Sequence, residues 1–179
     1  MLTREEVLDL IETPKISEIG SELIFQQNIV ENIYQLKSEN DESIKFKVDL
    51  TQHKQIALKL SCHHRNSSNI GLIRVDYNGP RHNNPKVITT NVPKVLHPYA
   101  SYEIAPRESH IHLYVEDEGL NWAMPLKDFS KLTEEERDGI LVPQINIENQ
   151  NDKISIVKSF VKMINFKGSI STHGGLIFN

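Results

Sequence analysis

The stretch Ile44-Lys45-Phe46-Lys47-Val48-Asp49-Leu50 decides the fold class. Its apolar residues alternate one by one with charged residues, which is typical of a β-strand with one buried face and one solvated face. The polar residues 38–42 precede it and predict a turn. An apolar run through Ile33 and Leu36 lies before that turn, so the chain here predicts two strands joined by a short connection.

Further extended runs follow along the chain. Residues 56–62 and 70–77 are separated by the polar stretch 63–69, and the order predicts an antiparallel meander. Strand character returns at 110–116, and 122–124 is expected to be the return strand of a hairpin.

Helices are expected near both ends of the chain. Thr3 and Glu6 have the spacing of a capping box before an apolar stripe, and Asp152 precedes apolar residues with helical spacing. The predicted fold class is therefore α+β: a curved antiparallel sheet or small barrel with N- and C-terminal helices.

Length and composition restrict the class of protein. The 179 residues, 38% of them apolar, suit a single globular domain over 1–179, with a long proline-rich basic loop at 78–109. No window resembles a membrane span, and the N-terminus lacks the order of a signal peptide. The lone Cys62 excludes an internal disulfide and any multi-cysteine metal site. We therefore expect a cytoplasmic protein without a membrane partner.

The charge is unevenly distributed. Residues 53–107 contain eight basic and two acidic side chains, whereas the whole chain has 20 basic and 24 acidic ones. Seven of the eight histidines lie between His53 and His112. This segment is therefore expected to face RNA or another anionic ligand, although long basic side chains on a sheet also extend into water without any ligand.

Three motifs in the same region resemble a known family. They are Gly79-Pro80-Arg81-His82-Asn83-Asn84-Pro85, His110-Ile111-His112-Leu113-Tyr114 and Trp122-Ala123-Met124-Pro125. In that order they resemble a family of small bacterial proteins known as a domain of unknown function. The resemblance implies a bacterial or phage origin and one compact domain, and it supplies no mechanism.

The histidines predict chemistry most directly. His110 and His112 are two residues apart on a predicted strand, so both imidazoles should lie on one face. Our leading hypothesis is an RNA-binding or RNA-cleaving domain, a toxin-like endoribonuclease that uses histidine acid/base catalysis without a metal or other cofactor. The residues assigned to it are His82, His110, His112 and Tyr114 for catalysis and Arg65, Arg74, Arg81 and Trp122 for substrate binding.

Two alternatives remain open from the sequence. The first is a non-catalytic protein-interaction module, such as a phage or host defence-related inhibitor, and a protein partner (an antitoxin or a target enzyme) is expected under either of these hypotheses. The second is a metal-dependent nuclease or hydrolase, in which His82, His110 and His112 supply nitrogen and Asp76 or Glu103 supplies oxygen. A DNA-nicking variant of the second alternative would use the Tyr-x-x-Lys spacing at 34–37.

Overall fold

The computed structural model describes residues 1–56, 58–133, 135–136 and 152–173. The helices whose full bounds lie in these residues are α1 (Arg4–Glu12), α2 (Leu126–Phe129) and α3 (Lys153–Met163), and a 3₁₀-helix lies at Lys94–Tyr99. The strands are β1 (Lys15–Ser17), β2 (Glu22–Gln26), β3 (Glu31–Ser38), β4 (Lys45–Gln52), β5 (Leu60–Asn66), β6 (Gly71–Tyr77), β7 (His82–Asn83), β8 (Glu103–Ile104), β9 (His110–Val115), β10 (Gly119–Pro125) and β11 (Ser169–His173).

Seven strands form one antiparallel sheet in the order β1-β3-β4-β5-β6-β9-β10. Separately, β2 and β11 pair in parallel, and β7 and β8 form a short antiparallel pair. The prediction of an antiparallel sheet with a few helices is confirmed. The small barrel is wrong, because the sheet is open, with β1 and β10 at opposite edges. The outer edge of β10 is also unavailable for pairing with another strand at Ala123, because the Asn84 side chain hydrogen-bonds to the amide and the carbonyl of that residue.

Strand β5 differs from the prediction. The sequence places an extended run at 56–62 and a polar connection at 63–69, whereas the strand continues to Asn66. His63 and Arg65 pair in register with Asp49 and Lys47 of β4, on a face that is itself polar. Polarity therefore does not end the strand here.

The sheet has two contrasting faces. The apolar face carries residues such as Val48, Cys62, Val75 and Ile111, and its core includes side chains from α1 and α3. The polar face carries the alternate residues of β4, β5, β6 and β9, among them Asp49, His63, Arg65, Arg74, Asp76, His110 and His112. The prediction that His110 and His112 share a face is consistent with the observed register.

Both predicted helix caps form. Thr3 and Glu6 make the reciprocal bonds of a capping box, and the Asp152 side chain accepts from the Ser155 amide. The C-terminal ends of α1 and α3 meet at Lys15, which is fully buried. Its ammonium donates to the carbonyls of Ile11, Thr13 and Ile164 at 2.7–2.9 Å, and thereby satisfies acceptors that helix ends leave open.

The proline-rich segment 78–109 lies over the β6, β9 and β10 side of the sheet. It contains the β7–β8 pair and the 3₁₀-helix, whose residues contact β10. None of the helices in the described part of the chain is long and apolar enough to span a membrane.

Candidate active site

Asp76, His110 and His112 converge at the centre of the polar face. Register places His110 opposite Asp76 and His112 opposite Arg74 on the adjacent strands β9 and β6. The Nε2 atom of His112 lies 3.2 Å from Asp76 Oδ2, and that of His110 lies 3.4 Å from the same oxygen. All three side chains are at most 5% exposed. The alternation of two antiparallel strands is thus sufficient to bring these groups together.

The other nitrogen of each imidazole fixes its protonation. His110 Nδ1 donates to the Glu108 carbonyl at 2.8 Å, and His112 Nδ1 donates to the Leu120 carbonyl at 3.0 Å. Because a carbonyl oxygen only accepts, each Nδ1 must hold a proton, and in a neutral imidazole the Nε2 atom is then a lone-pair acceptor. A hydrogen bond from either Nε2 atom to the Asp76 carboxylate therefore requires a second proton on that ring.

Arg74 completes the surroundings of the carboxylate. Its Nε atom donates to Asp76 Oδ1 at 3.0 Å, and its Nη2 atom lies 2.6 Å from Oδ2. Burial would raise the pKa of Asp76, but the close imidazoles of His110 and His112 and the guanidinium of Arg74 outweigh it and hold this pKa well below its usual range. Asp76 is therefore ionised at neutral pH.

His82 is the most accessible histidine of the group. Its ring lies 4.6 Å from that of His112 and 6.0 Å from that of His110, centroid to centroid. Its Nε2 atom donates to Asn84 Oδ1 at 3.0 Å and to the Asn121 carbonyl at 3.1 Å. Burial and the two neighbouring histidines lower the pKa of His82. Since Nε2 holds a proton, Nδ1 is the nitrogen that can exchange one.

Asn84 holds the edge of β10 in a strand-like manner. Its Nδ2 atom donates to the carbonyls of Ala123 and Tyr99, and its Oδ1 atom accepts from the Ala123 amide and from His82. These four bonds use the full capacity of a primary amide. Asn84 therefore fixes both the edge strand and the His82 ring.

Gly79 allows the loop to approach the cluster. A Cβ atom at this position would lie 2.7 Å from His110 Cε1 and 2.8 Å from Asp76 Cβ, so a larger residue would displace one of them. The three motifs quoted above thus meet in space, since Gly79 contacts His110, His82 contacts His112, and Asn84 bonds to Ala123.

A cavity reaches one side of the cluster. It has a volume of about 310 Å³, and its lining includes Ser61, Lys59, Arg74, Asp76 and Gly79. A larger cavity of about 760 Å³ lies beside the 3₁₀-helix and has no histidine in its described lining. The smaller cavity is the one that gives a ligand access to Arg74 and Asp76.

The remaining predicted site residues lie outside the cluster. Arg65 pairs with Asp49, and Arg81 is largely exposed with its Nε atom 3.4 Å from Glu103. The Tyr114 hydroxyl donates to the Leu2 carbonyl. Trp122 is fully buried, in register with Leu113 on the apolar face, and donates to Glu118. The buried position of Trp122 leaves no ring face for stacking on a base.

Two residues at the site were not assigned a role from the sequence, namely Asn84 and Gly79. Both lie within the quoted motif 79–85, so the motif itself was the available signal. The sequence predicts Asp76 as a possible oxygen ligand of a metal, and it lies at the centre of the cluster.

The protein is an α+β protein with an open antiparallel sheet and a buried histidine–aspartate cluster. The family model of DUF6978, a family of unknown function, matches residues 2–166. The chain therefore belongs to this family. Comparison with curated proteins and with solved structures gave no match.

Proposed function

We propose that this protein is a cytoplasmic ribonuclease whose reaction centre is the cluster of His82, His110, His112, Arg74 and Asp76. The observation that carries the proposal is the convergence of two imidazoles and a guanidinium on one carboxylate, with the ring of His82 beside that of His112 and a cavity of about 310 Å³ on one side. Imidazole transfers protons near neutral pH, and guanidinium binds phosphate.

His82 is the proton-transfer group that this geometry supports best. It is only partly buried, and its Nδ1 atom remains available because Nε2 is held by Asn84 and Asn121. Both ring nitrogens of His112 are already engaged, by the Leu120 carbonyl and by Asp76. His112 therefore suits a supporting role in the cluster rather than the acid/base role first assigned to it.

The proposed reaction is transesterification of RNA. The ribose 2'-oxygen attacks phosphorus and loses its proton to His82 Nδ1, while the bond from phosphorus to the 5'-oxygen breaks and that oxygen gains a proton from water. The products are a 2',3'-cyclic phosphate and a free 5'-hydroxyl. Arg74, which is one-third exposed at the cavity, is placed to bind the phosphate.

Basic side chains near the cavity support an RNA substrate. Lys59 lines the cavity, Arg65 lies on the same face of the sheet as Arg74, and Arg81 follows directly after the cavity-lining Pro80. Such groups contact phosphates without reading bases, so the expected cleavage has little sequence preference.

The test is cleavage of a fluorescent single-stranded RNA by the purified full chain. His82→Gln should lower the cleavage rate by about 100-fold or more, because general acid/base catalysis contributes about 10²- to 10⁴-fold. The matched control is His97→Gln, which changes an exposed histidine of the 3₁₀-helix. An RNA with a single 2'-deoxyribose at the cleaved position should resist, and intact RNA after prolonged incubation with the wild-type protein would refute the proposal.

A second candidate is the non-catalytic interaction module. It is favoured by Val87 and Ile88, which are 70% and 42% exposed in the proline-rich segment. Under this alternative the histidine cluster only stabilises the fold. RNA would then remain intact with every variant, and Val87→Ser would weaken binding to the protein partner.

A further inference from the structure

We infer that Asp76, His110 and His112 form a binding site for one divalent cation of the zinc type. The three ligand atoms lie within 4.8 Å of one another, and this is the group of metal-binding side chains found among the described residues. The inference concerns the same cluster as the proposed ribonuclease and names the cofactor of that site, so its test is metal binding rather than cleavage.

The distances agree with tetrahedral coordination. Zinc bonds to imidazole nitrogen and carboxylate oxygen at about 2.0–2.1 Å, which places neighbouring tetrahedral ligands about 3.3 Å apart. The separations from Asp76 Oδ2 to the two Nε2 atoms are 3.2 and 3.4 Å. Two of the three ligand separations therefore already suit a tetrahedral cation, and the two Nε2 atoms, which lie within 4.8 Å of each other, complete the site.

The tautomers also agree with metal binding. Histidine ligands usually donate the second ring N–H to a carbonyl or carboxylate, which orients the ring and leaves the other nitrogen free for the metal. The Glu108 and Leu120 carbonyls play this part for His110 and His112.

The two Nε2 atoms could also lie close to Asp76 Oδ2 because each carries a proton and donates a hydrogen bond to it. The geometry at His110 opposes this explanation, because His110 Nε2 is buried and forms no hydrogen bond with any described residue. A proton there would have only Asp76 Oδ2, 3.4 Å away, and no well-aligned hydrogen bond to it. A hydrogen bond requires the N–H to point at Oδ2, whereas a cation between the three atoms does not.

The donor set predicts the class of metal. Two imidazoles and one carboxylate suit zinc and other first-row transition ions, whereas magnesium prefers oxygen ligands only. Three protein ligands also leave one tetrahedral position for water or a phosphate oxygen. The Nε atom of Arg74 remains on Asp76 Oδ1 in this arrangement and keeps the carboxylate oriented, while Nη2, now 2.6 Å from Oδ2, has to move away as the cation binds that oxygen.

The experiment is a calorimetric titration of the chelator-treated full chain with ZnCl₂ and, separately, with MgCl₂. We expect one zinc ion per chain and no magnesium binding. His110→Ala and Asp76→Asn should each weaken zinc binding by about 100-fold or more, since loss of an outer-shell partner alone costs about 10- to 100-fold. His173→Ala, at an exposed position at the end of β11, should leave it unchanged.

The wild-type titration decides the inference even if a variant fails to fold. Absence of stoichiometric zinc binding by the folded wild-type chain would overturn the metal site, and so would zinc binding that survives both substitutions. RNA cleavage that persists in chelator without zinc binding would retain the ribonuclease and reject the metal. Zinc binding without cleavage of RNA would support the metal site and reject the ribonuclease.

Discussion

Lys15 and Asp76 are both buried charged residues, one beside the apolar face of the sheet and one on its polar face. The Lys15 ammonium has three carbonyl acceptors and lies 4.5 Å from the Phe46 ring, so each of its three protons has a partner. In the Asp76 cluster, by contrast, His110 Nε2 has no hydrogen-bond partner among the described residues.

The difference separates two uses of a buried charge. Around Lys15 the donors and acceptors balance, and the result is a link between two helix ends. Around Asp76 an imbalance remains that the described residues do not resolve, which is typical of a site that binds something. An unpartnered imidazole nitrogen beside a buried carboxylate therefore marks the Asp76 cluster as the candidate functional one.

The largest expected effect on stability is at Lys15, where donors and acceptors balance. Lys15→Met removes the donor of three buried carbonyls, and we expect the free energy of unfolding to fall by about 3 kcal/mol, because breaking a buried charge network costs about 3–5 kcal/mol. Urea denaturation measures this change. Lys45→Met, which alters an exposed ion pair with Glu18, should change stability by less than about 0.5 kcal/mol.

Lys15 also gives a pH signature. Burial lowers its pKa in the folded chain from 10.5 to about 7, so between these values the unfolded chain binds more protons. Stability should therefore rise with pH from about 7 to about 10 in the wild type, relative to Lys15→Met. Equal slopes for the two proteins, or equal stability, would contradict the role assigned to Lys15.

A smaller effect is expected at the edge of the polar cluster. Asn84→Ala leaves the Ala123 amide and carbonyl without their partner, and the free energy of unfolding should fall by about 2 kcal/mol, because an unsatisfied buried group costs about 1–3 kcal/mol. Thermal and urea unfolding are the measurements. The neighbouring Asn83→Ala is the control, since Asn83 is exposed.

The Asn84 substitution also sharpens the comparison of the two sites. Because Asn84 holds His82 beside His112, its loss should lower RNA cleavage as well as stability. Lys15→Met should lower stability alone. If Asn84→Ala proved as stable and as active as wild type, the motif would have another purpose.

Much of the fold could be predicted because the alternation that identifies a strand is visible within a few consecutive residues. The alternation at Phe46, Val48 and Leu50 and the spacing of His110 and His112 depend only on neighbouring residues. The extension of β5 to Asn66 could not be predicted in this way, because it depends on the polar partners that β4 supplies. The prediction of a closed barrel was wrong for the same reason, since whether two edge strands pair depends on residues far apart in the sequence.

The candidate site was predictable in part. Strand periodicity predicted that the two strand histidines share a face, but the contact with Asp76 requires the register between β6 and β9. The sequence also could not show that Trp122 would lie on the opposite face, fully buried. The burial of Lys15 could not be predicted from neighbouring residues, because its partners include a carbonyl 149 residues away.

The smallest expected effect concerns His64, which lies on the apolar face against Phe46 with a ring separation of 5.3 Å. Neither of its buried ring nitrogens has a partner among the described residues. His64→Leu should therefore raise the free energy of unfolding by about 1 kcal/mol, because it removes unsatisfied polar atoms and keeps an apolar side chain. Urea denaturation at pH 7 measures the gain, with His173→Leu as the exposed control.

The pH dependence of the same variant tests the cause. Burial and the charges of Lys15 and His63 lower the pKa of His64, so below about pH 6.5 the unfolded chain gains a proton that the folded chain excludes. Wild-type stability should thus fall as the pH drops from 6.5, and His64→Leu should fall less steeply. Some loss should persist, because His63, with its pKa lowered to about 4, is unchanged. Parallel curves together with a loss of stability would show that the His64 ring has a partner and belongs with the balanced site of Lys15.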